Sequence, residues 1–259
     1  ADAMTDTLKP ENEGQILDAI QWAVSEKTPL EVIAGGTKRA FGRPMQTAAT
    51  LDMSAMSAVK TYEPEELFMT LEAGALMAEV NKALDDAGQH LSFEPPDFGP
   101  LLSTDGDKAT IGGIVATNLA GPRRIKEGAA RDHVLGFHAV SGRGEIFKSG
   151  GTVVKNVTGF DLSKLMAGSF GTLAVMTDVT VKVLPAPEKT RTLLIRWRID
   201  GVYDHAAMTV MQRALGSPHD VSAAAHLPAL PPLAPAGPLF GGASIMPPVA
   251  EGLADAQVL

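Results

Sequence analysis

The chain has 259 residues, 45% of them hydrophobic and 20% charged, with a formal net charge of −8 at pH 7 and no cysteine. A length of this order buries one large or two small cores. The acidity argues against a nucleic-acid binder, which needs a basic surface for phosphate, and the missing thiols exclude disulfides, zinc–thiolate sites and iron–sulfur ligation within these residues. No apolar run reaches the ~18 residues that span a bilayer, and Ala1–Asp6 has neither the basic region nor the apolar core of a secretion leader, so neither feature is expected.

Taken in chain order, Asn12 to Lys27 predicts a helix: Asn12 and Gln15 form a capping pair, and Ile16, Ala19, Ile20, Ala23 and Val24 share a face. Leu30–Ala34 is a short apolar strand that opens directly into Gly35-Gly36-Thr37. Leu67–Glu72 predicts another strand. A helix follows from about Ala75 to Ala87, with Leu76, Val80 and Leu84 at spacing four and Gly88 ending it. Ala109–Asn118 carries a second glycine pair, Gly112-Gly113. Val134–Val140, the turn Ser141-Gly-Arg-Gly and Glu145–Lys148 predict a hairpin.

The stretch from Gly151 to Leu173 chains three local devices: a strand at Thr152–Val154, a polar turn at Lys155–Gly159, and a short helix at Asp161–Ala167 with Asp161 placed to cap its first turn. A tight turn, Gly168-Ser-Phe-Gly-Thr, then leads into the β-branched run Leu173–Val183. Leu193–Arg198 predicts a strand and His205–Leu215 a helix. Between Leu227 and Pro248 there are seven prolines and no charged residue, so this part is expected to be irregular. Helices and strands alternating with hairpins indicate an α+β chain.

Glycine-rich bends let backbone approach a flat or phosphorylated ligand, because no Cβ blocks the way. At the first bend, consecutive amides around Gly35, Gly36 and Thr37 can face one anion, with Lys38 and Arg39 adding positive charge; the alternative is an ordinary turn with solvated basic residues. At the second, Gly112 and Gly113 let backbone pass a ligand while Thr117 and Asn118 offer side-chain hydrogen bonds; the alternative is that Ile111, Ile114 and Val115 are core and the glycines serve packing. Arg123, Arg124, Lys126 and Arg131 form a basic patch that is either solvated surface or a contact for cofactor phosphates or a partner. Lys155 and Asp161 could form a structural ion pair. None of the six histidines has metal-ligand spacing. His133, beside Asp132, is the one nearest a site motif, and it reads as structural before catalytic. There is no Walker loop and no Gly-x-Gly-x-x-Gly, which argues against an NTPase or a nicotinamide domain.

The three bends in this order, together with Pro95-Pro-Asp-Phe-Gly-Pro, Gly121-Pro-Arg-Arg-Ile-Lys, Arg131-Asp-His-Val-Leu-Gly and Val154-Lys-Asn-Val-Thr-Gly-Phe-Asp-Leu, carry a family resemblance. From about Leu8 to about Leu227 the chain resembles the FAD-binding domain of the vanillyl-alcohol oxidase/p-cresol methylhydroxylase (PCMH) superfamily. Within it, the chain is most similar to the FAD-binding E subunits of bacterial glycolate oxidases. The resemblance implies a PCMH-type FAD-binding domain of two α/β subdomains at 1–187, the start of a truncated or diverged α+β cap domain at 188–227, and an irregular tail at 228–259.

It also implies non-covalent FAD, no metal, and cofactor contacts from Ala34, Gly35, Gly36, Thr37, Lys38 and Arg39 at the first bend. Further contacts are implied for Pro96, for Thr110, Gly112, Gly113, Ala116, Thr117 and Asn118, and for Gly168, Ser169 and Val175. Ala34 stands where family members carry a glycine, which preserves the turn only at negative φ. Phe170 and Ala174 replace a common Glu and Gly, and Leu101–Lys108 looks lengthened. The activity implied is oxidation of a 2-hydroxy acid, glycolate to glyoxylate, by an oxidoreductase complex with a second flavin subunit and an iron–sulfur subunit. No residue is assigned as catalytic base. The implied location is cytoplasmic, with peripheral attachment to the inner face of the membrane through the complex left open. A stand-alone lactate-type dehydrogenase and a flavin-free scaffold subunit are the alternatives.

Overall fold

This computed structural model describes residues 6–104, 106–151, 160–195 and 203–226. A short strand β1 (Asp6–Leu8) precedes helix α1 (Glu13–Ser25), where Asn12 Oδ1 accepts the Gln15 amide at 3.0 Å. The expected capping pair is only half formed: the Gln15 side chain accepts the amide of Glu11, one residue before the cap, at 2.8 Å. β2 (Leu30–Ile33) and β3 (Ala49–Asp52) complete a parallel sheet in the order β1-β3-β2. Neither β1 nor β3 is predicted from sequence, because three or four residues show no clear alternation.

The larger sheet is antiparallel. Its members are β4 (Val59–Glu63), β5 (Phe68–Glu72), β7 (Val134–Ser141), β8 (Ile146–Gly150) and β9 (Ala174–Lys182), in the order β4-β5-β9-β7-β8. Central β9 is covered on both faces, and every residue from Ala174 to Val181 is buried. The predicted hairpin is present as β7–β8, with Gly144 at φ +72° and its amide donating to Ser141 O at 2.9 Å. A two-stranded ribbon joins β6 (Gln89–His90) to β10 (Leu184–Pro185). β4 is another strand the sequence does not announce, since its residues are mostly exposed.

On one side of this sheet, α2 (Met77–Asp86) contributes Met77, Val80 and Leu84 to the main core. It ends as predicted at Gly88, φ +64°. The 109–118 segment is not an extended bend but helix α3 (Ile111–Thr117), capped by Thr110 Oγ1 accepting the Gly113 amide at 3.3 Å. Its apolar stripe Ile111, Ile114 and Val115 is fully buried. Two short helices follow, α4 (Arg124–Glu127) and α5 (Ala130–His133).

α6 (Leu162–Met166) occupies the predicted short-helix position, but Asp161 makes no side-chain cap bond, so the expected capping role is corrected. Ile16, Ile20, Leu51, Met53 and Met56 meet Val140 and Val175 in a second cluster, the joint between the small layer and the large sheet. The predicted helix near the end is α7 (Tyr203–Leu215). Leu193–Ile195 is irregular rather than extended in a sheet. The strand at Thr152–Val154, the turn at Lys155–Gly159, the Lys155 side of the proposed ion pair, residues 196–198 of the predicted strand, and the tail from Leu227 lie outside the described residues. Among the described residues no helix is long and apolar enough to cross a membrane.

Candidate functional site

The first bend leaves β2 at Ala34, which stays out of the left-handed region and so keeps the turn. Gly35 and Gly36 do different work. A Cβ on Gly35 would fall 1.6 Å from the carbonyl oxygen of Lys108, so this residue lets the bend cross the segment entering α3. Gly36 has φ +69°, and a Cβ there would meet only Arg39 Cδ at 3.8 Å, leaving open space in front of it.

Thr37 is buried, and Lys38 Nζ donates to its Oγ1 at 3.2 Å. Burial pulls the Lys38 pKa below its ordinary value, and the charge of Asp97 opposes that shift. Arg39 is already engaged: it makes a two-pronged ion pair with the buried Glu31 carboxylate at 2.8 and 2.7 Å. The positive charge expected from Arg39 is therefore neutralised, and Lys38 is the cation of this bend.

The second bend, as a helix, separates its two glycines. Gly112 donates its amide to Ala73 O at 2.9 Å, and a Cβ would stand 2.6 Å from that oxygen, so Gly112 serves packing, not ligand approach. Gly113 faces the other way, where a Cβ would lie 3.4 Å from Lys38 Nζ. Thr117 donates to Gly113 O at 2.6 Å, and Asn118, left-handed at φ +51°, accepts the Arg131 amide at 2.9 Å. The hydrogen bonds expected from both side chains are thus partly committed within the fold.

The third bend docks on the end of this helix. Gly168 donates to Val115 O at 3.1 Å and Phe170 to Ala116 O at 2.8 Å. A Cβ on Gly171 would lie 3.9 Å from Val32 Cβ, which brings the third bend back against β2 and the first. All three bends therefore share one region, together with the buried Pro96 and its neighbour Asp97. Ser169 Oγ is buried there with no hydrogen-bond partner. Val175 follows the bend, but its side chain points into the joint between the layers, which leaves only its backbone for a ligand. An open cavity of about 340 Å³ lies between Ala34–Gly35 and the Ser54, Gly74, Leu76 and Thr110 side of the fold.

These features suit a dinucleotide cofactor. The face of Gly36 is open, Lys38 stands as the cation of the same bend, and Ser169 Oγ is buried without a hydrogen-bond partner. Sequence reasoning does not find the aromatic rings at the rim. Phe41 stacks on Phe170 with centroids 6.0 Å apart, and touches Phe98 at 5.9 Å. The signal available was Phe170 itself, where a side chain other than glycine occupies a glycine-rich turn.

The basic patch is divided. Arg123 is buried against Glu94 at 3.4 Å and His90 Nδ1 at 3.4 Å, and reaches Ser222 Oγ at 3.4 Å, while Lys126 pairs with Asp220. Both hold the segment after α7, while Arg124 and Arg131 remain exposed. His133 is structural: Nε2 donates to Glu127 O at 2.8 Å, the ring packs on Phe93 at 5.1 Å, and burial lowers its pKa. Among the described residues no group of His, Asp and Glu is placed to hold a metal.

Residues 7–150, more than half of the chain, match the family described as FAD binding domain. The chain is 44% identical over 179 residues to the glycolate oxidase subunit GlcE of Escherichia coli (strain K12), covering 69% of this chain and 49% of that protein. It is 31% identical over 204 residues to the glycolate oxidase subunit GlcD of Bacillus subtilis (strain 168), covering 78% and 41%. To the D-lactate dehydrogenase of Anaerostipes hadrus it is 37% identical over 145 residues, covering 56% and 29%. The chain thus spans half or less of the length of these relatives. Among solved structures, alkyldihydroxyacetonephosphate synthase matches 71% of this chain and 32% of its own, at TM-score 0.55 and 21% identity, a likeness of fold.

Proposed function

Because the chain belongs to the FAD binding domain family, we propose that it is the FAD-binding subunit of a glycolate oxidase or glycolate dehydrogenase complex. The observation that carries this reading is the likeness to the glycolate oxidase subunit of E. coli, the highest identity among the relatives described above. In this reading glycolate is oxidised to glyoxylate with release of two electrons and two protons, and the electrons pass to an acceptor other than a nicotinamide. Bound FAD, held non-covalently, supplies the two-electron acceptor.

The chain's own residues bind and orient. Gly36 and Thr37 present backbone to the diphosphate, Lys38 balances its charge, and the docked third bend offers Ser169 Oγ to the cofactor. Glu31 holds Arg39 and so fixes the end of the first bend. The likeness to two glycolate oxidase subunits supports a complex, in which a second flavin subunit and an iron–sulfur subunit would be the partners. The likeness to a D-lactate dehydrogenase favours a second reading, a stand-alone FAD-dependent dehydrogenase of a longer 2-hydroxy acid.

The test is co-expression with the neighbouring subunits, followed by a visible spectrum and dye reduction with a panel of 2-hydroxy acids. Yellow protein and glycolate-dependent reduction by the complex are expected. Turnover of lactate by this chain alone would favour the second reading. Failure to bind added FAD would leave a flavin-free scaffold.

A further inference from the structure

Phe41, Phe98 and Phe170 lie in series beside the three bends. The Phe41 and Phe170 planes are within 4° of parallel, and Phe98 is tilted at 43° to Phe41. Each ring rides on a segment that the fold fixes. The Phe41 amide donates to Lys38 O at 2.9 Å, closing the turn that carries the cradle lysine, and the Phe170 amide donates to Ala116 O at the end of α3. The loop after Phe98 is folded by Asp97, whose two carboxylate oxygens accept the amides of Gly99 at 2.8 Å and Asp107 at 3.0 Å.

Two properties separate this group from an ordinary core cluster. Phe41 is 46% and Phe170 54% exposed, so flat aromatic surface faces water although each backbone is held in place. Phe170 also adopts φ +54°, a left-handed conformation that a side chain with a Cβ rarely takes, in a turn where Gly168 and Gly171 are left-handed as well. Strain of this kind persists where the surrounding structure dictates it, and it gathers at ligand-binding sites. Aromatic faces pack favourably on other flat rings in offset stacks.

We propose that Phe41, Phe98 and Phe170 form an aromatic wall against which one flat heteroaromatic ring of the bound dinucleotide packs. This rests on the reading that the bends hold FAD. The wall positions the ring by surface contact, complementing the charge balance at Lys38. Either end of FAD offers such a ring, the isoalloxazine or the adenine, and the two are told apart by their fragments.

The experiment titrates the full chain with FAD, FMN and ADP by calorimetry, comparing wild type with Phe170→Leu, Phe170→Tyr and Phe41→Leu, with ligand-free thermal unfolding recorded for each. Phe170→Leu keeps apolar bulk but loses the flat face, and FAD affinity is expected to fall at least tenfold, with Phe170→Tyr restoring it. A parallel loss for FMN but not ADP assigns the wall to the isoalloxazine ring; a loss for ADP but not FMN assigns it to adenine. FAD affinity within twofold of wild type in both leucine variants overturns the wall, as does an equal fall for all three ligands, which would mean the cradle itself had moved. Should Phe170→Leu unfold, Phe41→Leu decides alone, since its ring sits on an exposed turn. Wild type that binds no FAD would refute the underlying reading instead.

Discussion

Lys38 carries the charge of the first bend because Arg39, next to it, is tied to Glu31. Burial lowers the Lys38 pKa in the ligand-free fold. The sign of the pH dependence follows. The unfolded chain holds this proton more tightly, so the site opposes folding while lysine is charged, and that cost is recovered as pH rises through the lowered pKa. A bound diphosphate favours the charged form, so FAD affinity should fall as pH rises through a window below the ordinary value of 10.5. Lys38→Met should lose that pH dependence and weaken FAD binding by about tenfold or more, given ~1.5–3 kcal/mol for a hydrogen bond to a charged group; calorimetric titration across pH measures both. Gly36→Val should abolish FAD retention with the fold largely intact, because it adds a β-branched side chain to the open face and costs about 1–2 kcal/mol in left-handed strain. Unchanged flavin absorbance in the purified variant would count against this bend as the cradle.

Helix α3 shows how an element escaped a reading based on glycine pairs. Two glycines in a helix cost roughly 1 kcal/mol each relative to alanine, so the local preference is for a turn. Packing overrides it: Gly112 is the residue that lets the helix backbone approach the Ala73 carbonyl. The period-3.6 stripe of Ile111, Ile114 and Val115 is the signal for a helix, and in sequence it is equally consistent with a buried packing segment. The two glycines should therefore answer differently to alanine. Gly112→Ala drives a Cβ into the Ala73 backbone and should cost about 1–3 kcal/mol of stability, lowering the thermal midpoint by several degrees. Gly113→Ala places its Cβ 3.3 Å from Thr110 Oγ1 and 3.4 Å from Lys38 Nζ, so it should weaken FAD binding with a smaller change in midpoint. The paired measurement, thermal unfolding and FAD titration, checks whether the two responses separate.

Across the whole molecule, charges written close together in sequence serve distant parts of the fold. Arg123 and Lys126 hold Ser222 and Asp220, which tie the segment after α7 to α4. Arg123→Ala should leave the Glu94 carboxylate and His90 without this partner, destabilise by about 1–3 kcal/mol, and speed protease cleavage around Ser217–Ser222; a cleavage rate equal to wild type would show that the segment is held by other contacts. Asp178 works in the same long-range way. This buried carboxylate accepts Lys60 at 2.7 Å and His138 at 2.7 Å, joining residues of β4, β9 and β7. The Lys60 pKa is raised, first by that hydrogen bond.

By itself the sequence determined the periodic elements, because burial of a helical or strand face writes a repeat into residue order: α1, α2, the β7–β8 hairpin, β9 and α7 are all visible that way. The motif residues likewise carried the family, whose domain matches residues 7–150. What only the tertiary structure decided was which polar groups remain free for a ligand. Gly112, Arg39, Asn118 and Arg123 are all engaged by residues far away in the chain or on other elements, while Gly36 and the Phe41–Phe170 face are left open and Lys38 gives only one of its three donors, to Thr37. Sequence order records what a residue is able to do. Whether a neighbour has already claimed it depends on contacts between segments that no local pattern encodes.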